Sequence, residues 1–155
     1  MTQHEITASA LINAPAKLIY RIIADYKNGH PHILPKPYFV SLQVEQGGMG
    51  SGTVVSFQMK LMGKLQNFHA TISEPEPGRV LVETNDGDDG AVTTFIVDPR
   101  GDDQAHVTIK TKTKTHNGFL GKVEGWMTTH LLRPIYIKEL QQLALVASSK
   151  SFPLP

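Results

Sequence analysis

The 155-residue sequence predicts an α+β protein, with a curved seven-stranded antiparallel sheet wrapped around a long C-terminal helix and two short helices after the first strand. Three observations predict this fold. Apolar and polar side chains alternate in the first segment, which ends at a proline that suits the start of a helix. Roughly seventy residues then repeat apolar side chains at every second position, and a long segment with helical spacing closes the chain. The turns between the six later strands are short, so neighbouring strands should run antiparallel.

The first two elements are a strand and a helix. Residues 4–13 (HEITASALIN) alternate between apolar and polar side chains, which indicates a half-buried strand. Pro15 suits the first turn of a helix, and residues 15–26 repeat apolar side chains at helical spacing. Residues 27–37 contain Gly29, Pro31, Pro35 and Pro37 and therefore permit at most a short second helix.

Six strands should follow from Tyr38 onward. The runs that predict them are YFVSLQVE, TVVSFQMKLM, LQNFHATISE, RVLVETN, AVTTFIVD and HVTIKTKTKT. Parity places Val55, Phe57, Met59 and Leu61 on the covered face. In the last run it places Thr111 inward and a row of lysines outward.

The closing helix should run from Asn117 to Ser149, with Pro134 expected to kink it. At about 100° per residue, one apolar side contains Val123, Trp126, Met127, His130 and Pro134. His130 lies near the middle of this stripe, where a leucine would be expected. A single helix cannot fill the concavity of a seven-stranded sheet, so an elongated hollow between helix and sheet is predicted.

Composition narrows the class of protein. Fifteen Lys and Arg against fourteen Asp and Glu give a net charge of +1 without a basic run, which argues against a nucleic-acid partner. The chain has no cysteine, and its start does not resemble a signal peptide. With no apolar stretch near ~20 residues, we expect a cytoplasmic protein without a membrane span. Residues 1–149 should form one domain, and residues 150–155 a tail.

The order of elements resembles that of a known superfamily. The residues that carry the resemblance are Ile12, Ala14, Pro15 and Asp25 around the first helix, Glu74, Pro77 and Arg79 in TISEPEPGRVLVE, and the long closing helix. Over nearly its whole length the chain is similar to the polyketide cyclase/dehydrase and lipid transport proteins, the START-like or SRPBCC superfamily with the helix-grip fold. The resemblance implies a deep cavity between sheet and C-terminal helix, entered near the short second helix. Because members include lipid carriers, aromatic-ring cyclases and hormone receptors, function has to be argued from the site.

Ten residues are candidates for ligand binding. They are Tyr26, His30, Tyr38, Phe57, Met59, Thr111, Val123, Trp126, Met127 and His130. His130 could orient a ligand carbonyl or hydroxyl, or it could be a core histidine bonded to a backbone carbonyl or a buried water. Tyr26, His30 and Tyr38 lie where the cavity mouth is expected, and we interpret the first-helix exit as a solvated entry loop.

The first functional hypothesis is binding of a hydrophobic or aromatic small molecule, lipid- or polyketide-like, in this cavity. The alternative is a cyclase- or dehydratase-type enzyme that uses a cavity histidine or tyrosine as general acid or base, and no catalytic residue is assigned. A third hypothesis is an interaction module that uses the outward lysine row, and the sequence leaves room for a homodimer. No cofactor or metal is expected: His30 and His32 lack a third ligand, and the acidic turn at 85–90 lacks calcium-loop spacing.

Overall fold

The computed structural model describes residues 2–87 and 90–149. The strands are β1 (Thr2–Ile12), β2 (Phe39–Gln46), β3 (Val54–Leu61), β4 (Lys64–Glu76), β5 (Val80–Asn85), β6 (Val92–Pro99) and β7 (Ala105–Thr115). The helices are α1 (Ala16–Ala24), a 3-10 turn at His30–His32 and α2 (Gly118–Ser148). The predicted tail at 150–155 and two aspartates of the acidic turn, Asp88 and Asp89, lie outside the described residues.

The seven strands form one antiparallel sheet in the order β1-β7-β6-β5-β4-β3-β2. The predicted fold class is therefore confirmed. The tight β3–β4 connection contains Met62 and Gly63, with φ angles of 51° and 75°. Two consecutive positive φ values are typical of the turn type that matches the twist of a hairpin. The turn places the side chains of β3 and β4 in register across the sheet.

The core lies between α1, the sheet and the C-terminal half of α2. Its largest fully buried aliphatic side chains include Ile6, Ile19, Ile22, Ile23, Ile72, Leu81, Ile109 and Leu143. The inward parity predicted for β3 is confirmed, since Val55, Met59 and Leu61 are buried. This core closes one end of the space under α2 and leaves the other end to be lined by larger and more polar groups.

Helix α2 is a single run of 31 residues that continues through Pro134. Its buried side contains Gly121, Gly125, Ile135, Tyr136, Glu139, Leu140, Leu143 and Ala147. A methyl group added at Gly125 would lie 2.7 Å from Nδ1 of His4 on β1. The two glycines therefore allow the first half of α2 to pack closely on the edge of the sheet. No helix in the described part of the chain has the length and apolar character needed to cross a membrane.

A hydrogen-bonded link joins α1 to the sheet, and its removal is a first testable change. The hydroxyl of Tyr20 donates to Oε2 of Glu74 at 2.6 Å, and Oε1 of Glu74 accepts the Ser51 backbone N–H at 2.7 Å.

We expect Tyr20→Phe to lower the free energy of unfolding by about 1–2 kcal/mol, because the bond is to a charged acceptor. Urea denaturation measures this change. Tyr38→Phe is the control, since the Tyr38 hydroxyl only accepts a 3.3 Å bond from exposed Lys138 and its loss should change little. Equal effects of the two substitutions would contradict the prediction.

Candidate functional site

A cavity of about 410 Å³ lies between α2 and the concave face of the sheet. Its apolar lining consists of Leu34, Phe39, Leu42, Val55, Phe57, Met59, Leu61, Phe68, Ala91, Phe95, Leu131 and Leu132. Its polar lining includes Tyr26, His30, Glu83, Asn85, Thr93, Thr111, Thr113, Tyr136 and Glu139. A space of this size, mostly apolar with a few convergent polar groups, is typical of a small-molecule site.

The apolar wall comes mainly from β2, β3 and β4. Phe57 stacks on Phe68 with ring centroids 5.0 Å apart, and Phe39 lies 6.1 Å from Phe57. Met59 and Leu61 continue this wall toward Leu131 and Leu132 of α2. Aromatic rings and flexible methionine side chains of this kind adapt to flat, apolar ligands.

The turn after α1 places His30 inside the protein. The carboxylate of Asp25 accepts the backbone N–H groups of Lys27 and Asn28, which turns the chain back on itself. Gly29 then passes so close to α1 that an added methyl group would lie 2.5 Å from the Ile22 carbonyl oxygen. As a result Nδ1 of His30 lies 2.8 Å from the Ile23 carbonyl oxygen, and the side chain is buried.

His30 lies against Tyr26 and Glu83, which are hydrogen-bonded to each other. The Tyr26 ring stacks on the imidazole at 4.3 Å, and its hydroxyl donates to Oε1 of Glu83 at 2.6 Å. Because the Ile23 carbonyl can only accept, Nδ1 of His30 carries the proton, and Nε2 lies 3.5 Å from the same Glu83 oxygen. Burial lowers the pKa of His30, opposed by the charge of Glu83, and so favours the neutral imidazole.

A second chain of hydroxyl groups crosses the sheet beside this group. Thr93 on β6 and Thr111 on β7 are paired residues whose hydroxyl oxygens are 2.8 Å apart. Thr111 is also 2.6 Å from the hydroxyl of Tyr136 on α2. Burial raises the pKa of Tyr136 to about 12, so its phenol stays protonated. We refer to Tyr26, His30, Glu83, Thr93, Thr111, Tyr136 and Glu139 together as the buried polar cluster.

Glu139 is the unusual member of the buried polar cluster. Glu139 is only 3% exposed. Among the described residues, its carboxyl group has no hydrogen-bond or ion-pair partner. Burial first, and then the charge of Glu83, raise the pKa of this carboxyl well above its ordinary value of 4.5. The cavity wall therefore contains a carboxylic acid with free hydrogen-bonding capacity.

One amide oxygen of the cavity wall also lacks a partner. Asn85 follows Glu83 on the same face of β5, and its amide nitrogen donates to the Ala91 carbonyl at 3.4 Å. Its Oδ1 atom is buried without a hydrogen-bond partner in the described structure. An unpaired buried acceptor costs about 1–3 kcal/mol, which a ligand donor would recover.

The structure places five of the ten predicted site residues in the cavity lining. These are Tyr26, His30, Phe57, Met59 and Thr111. His30 is buried in the wall rather than lying in a solvated entry loop, because the Asp25 turn and Gly29 fold it back under α1. Tyr38 is half-buried and packs beside Met59 and Leu61 outside the lining, with the Lys138 ammonium 5.0 Å from its ring centroid.

The predicted inward stripe of α2 is wrong. Val123, Trp126, Met127 and His130 are exposed, Trp126 to 62%, and none of the four lines the cavity. His130 packs against the Trp126 ring at 4.1 Å on the outer side of the helix. The side of α2 that faces the sheet is offset from the predicted side by about two positions in the sequence. Gly121, Gly125 and Thr128 face the sheet there, and the larger apolar side chains do not.

Sequence reasoning missed Glu83, Asn85, Thr93, Tyr136 and Glu139. Glu83 and Asn85 share the parity of buried Leu81, but β5 has apolar residues on both faces and the parity was therefore ambiguous. Glu139 lies between Ile135 and Leu143 at helical spacing and would have followed from the correct phase of α2. Within residues 2–87 and 90–149, no group of three histidine or acidic side chains could hold a metal ion.

Solved structures with the same architecture cover almost the entire chain. The solution structure of the KanY protein matches with a TM-score of 0.80 and 26% identity, over 96% of this chain and 100% of that one. The Zhui aromatase/cyclase from Streptomyces sp. R1128 matches with a TM-score of 0.79 and 14% identity, over 99% and 100%. A START superfamily protein from Mycobacterium smegmatis matches with a TM-score of 0.65 and 14% identity, over 92% of each chain. These similarities show a shared fold.

The family assignment comes from the sequence itself. No curated protein sequence matches this chain. The family model described as polyketide cyclase / dehydrase and lipid transport matches residues 3–148, which includes every strand from β2 to β7, both helices and nearly all of β1. The chain therefore belongs to the polyketide cyclase / dehydrase and lipid transport family.

Proposed function

We propose that this protein binds a small, largely apolar aromatic molecule in the cavity, with one polar end of the ligand held by the buried polar cluster. The observation that carries the proposal is the division of the cavity wall. Phe57, Phe68 and Met59 form an apolar wall on one side, while Glu83 and Glu139 lie on the polar side. The predicted homodimer and the cytoplasmic location stay predictions.

Burial of apolar surface would supply most of the affinity, at about 25 cal/mol per Å². The polar side would supply orientation, because its groups are held in fixed positions. Thr111 is bonded to both Thr93 and Tyr136, and Tyr26 is bonded to Glu83, so these side chains need little reorganisation when a ligand binds.

A cavity-filling substitution tests the location of binding. N-phenyl-1-naphthylamine, a neutral fluorescent aromatic probe, is titrated into the wild type and into Met59→Trp. The larger ring at Met59 would occupy part of the cavity, so we expect affinity to fall at least about 10-fold. Circular dichroism melting checks that the variant is folded.

Two substitutions on the outer side of α2 are the matched controls. Met127→Trp adds the same side chain at an exposed position, and His130→Leu removes the histidine that the sequence singled out. Both variants should bind the probe like the wild type. Loss of binding in either, or full binding in a folded Met59→Trp, would contradict the proposed site.

A second candidate function is acid–base catalysis of the cyclase or dehydratase type. It is favoured by the coexistence of a protonated acid, Glu139, and a neutral histidine, His30, in one buried polar cluster. In such a step Nε2 of His30 would take a proton from the carbon next to a ketone, while Glu139 protonates the ketone oxygen to give the enol.

Proton exchange in D₂O separates catalysis from binding alone. A bound aromatic ketone such as 2-tetralone should lose its α-proton NMR signals faster with the wild type than with His30→Gln. Probe binding by His30→Gln shows whether its cavity is intact. If the wild type does not accelerate exchange above the buffer rate, the catalytic candidate is excluded and the binding function is unaffected.

A further inference from the structure

The cavity is rich in hydrogen-bond acceptors and poor in cations. Two carboxyl groups without a paired cation among the described residues, those of Glu83 and Glu139, lie on its polar side, and Asn85 adds a buried oxygen without a partner. The third acid of the lining, Glu124, is paired with His116 at 2.6 Å. The two carboxyl groups are near enough that the charge of Glu83 acts on Glu139. Two acids that share one buried region repel each other when both are ionised.

No cationic side chain among the described residues neutralises this pair. The contact nearest to an ion pair is the one between Glu83 and His30 at 3.5 Å, and burial favours the neutral form of that imidazole. Lys114 contributes to the lining, but it lies three residues beyond Thr111 on β7, or about 10 Å along the strand, and has the opposite parity. The remaining titratable groups that face Glu139 are the phenols of Tyr26 and Tyr136, which stay protonated.

Resting on the function proposed above, we propose that the polar end of the ligand is a protonated primary amine. Its ammonium group would lie between the carboxyl groups of Glu83 and Glu139, with Oδ1 of Asn85 as a further acceptor. Binding then releases one proton to solvent: the ammonium keeps its three N–H bonds, and Glu139 changes from carboxylic acid to carboxylate. The ammonium takes the place of the proton that Glu139 holds without ligand.

The charge balance explains why an amine fits better than a neutral donor. Desolvating a carboxylate is unfavourable unless a cation compensates it, and an ammonium group offers three donors for the acceptors available here. A ligand carboxylate would add a third acid beside Glu83 and Glu139 and should be rejected. An alcohol would satisfy one acceptor and leave Glu139 protonated.

A set of ligands with the same aromatic body tests the proposal. The probes are 2-(2-naphthyl)ethylamine, 2-(2-naphthyl)ethanol and 3-(2-naphthyl)propanoate, titrated by calorimetry in buffers of different ionisation enthalpy at about pH 6. We expect the amine to bind at least about 10-fold more tightly than the alcohol and to release about one proton, and the propanoate to bind most weakly.

The variant Glu139→Gln keeps the shape of the side chain but replaces the ionisable carboxyl group by a neutral amide. We expect it to remove the proton release and most of the preference for the amine over the alcohol. Glu5→Gln, an exposed change on β1, should leave all three affinities and the proton release unaltered.

The outcomes separate this inference from the function on which it rests. If the alcohol binds as tightly as the amine, or the amine binds without proton release, the amine proposal is overturned and cavity binding stands. If none of the three naphthyl ligands binds, and N-phenyl-1-naphthylamine does not bind either, both proposals fail.

Discussion

The stability of Glu139→Gln relative to the wild type is expected to increase as the pH rises above about 4.5, by up to about 1.4 kcal/mol per pH unit. The cause is the raised pKa of the buried carboxyl. Between the ordinary pKa and the raised one, the unfolded wild type has lost this proton while the folded state still holds it. The folded wild type is therefore progressively destabilised, whereas the amide does not titrate.

The sign of this effect distinguishes Glu139 from other titrating groups. The pKa of His30 is lowered by burial, so its contribution to stability is lost as the pH falls below its ordinary value of 6.5, and this contribution is common to both proteins. The difference between the two proteins isolates Glu139. Urea denaturation at several pH values from 4 to 8 measures it, with pH values chosen to span the ordinary carboxyl and imidazole ranges.

Glu124→Gln is the matched control on α2. The pKa of half-buried Glu124 is lowered, first by the His116 backbone N–H and then by the His116 side chain. The stability it contributes should therefore be lost as the pH falls through its folded-state pKa, the opposite dependence. A pH-independent difference between Glu139→Gln and the wild type would show that Glu139 is ionised in the folded protein and would remove the basis for ligand-coupled proton release.

Gly121→Ala is expected to lower the free energy of unfolding by about 3 kcal/mol, even though alanine is the better helix former by about 1 kcal/mol. An added methyl group at this position would clash with the carbonyl oxygen of His116. The obstacle is backbone, which cannot rotate away, so either the start of α2 or the end of β7 has to move.

Gly125→Ala is the control for the effect of alanine in the same helix. Its methyl group would meet the His4 imidazole, a side chain that can turn aside at the loss of its 2.7 Å contact with the Thr129 hydroxyl. We expect a change within about 1 kcal/mol, because the helix propensity of alanine offsets that loss. Chemical denaturation compares the two variants. Equal stabilities would show that α2 does not depend on the close contact at Gly121.

The strands and the first helix could be predicted from local patterns. The alternation in residues 54–61 and in residues 105–115 reports directly which side chains are covered, because a strand has only two faces. Pro15 and the breakers after Tyr26 marked where α1 begins and ends. Phe57, Met59 and Thr111 were placed correctly in the cavity lining by this parity alone.

The orientation of α2 was decided by tertiary packing. Most of the large apolar side chains in the first half of this helix lie on its exposed side, so the most apolar side is not the covered side. Gly121 faces the sheet because only a glycine permits the close approach to the His116 backbone, with Gly125 beside it on the same side, and Trp126 and His130 are turned outward as a consequence. Periodicity cannot identify a contact surface that is defined by small side chains.

The sequence by itself determined the order of elements, the antiparallel sheet and the presence of a hollow beneath one long helix. It did so because strand alternation, turn residues and proline act over a few neighbouring positions. Only the tertiary structure brought together Tyr26, His30, Glu83, Thr111 and Glu139, which come from four separate parts of the chain. The pKa of Glu139 depends on burial and on the charge of Glu83 across the cavity, and neither is visible in the residues beside it.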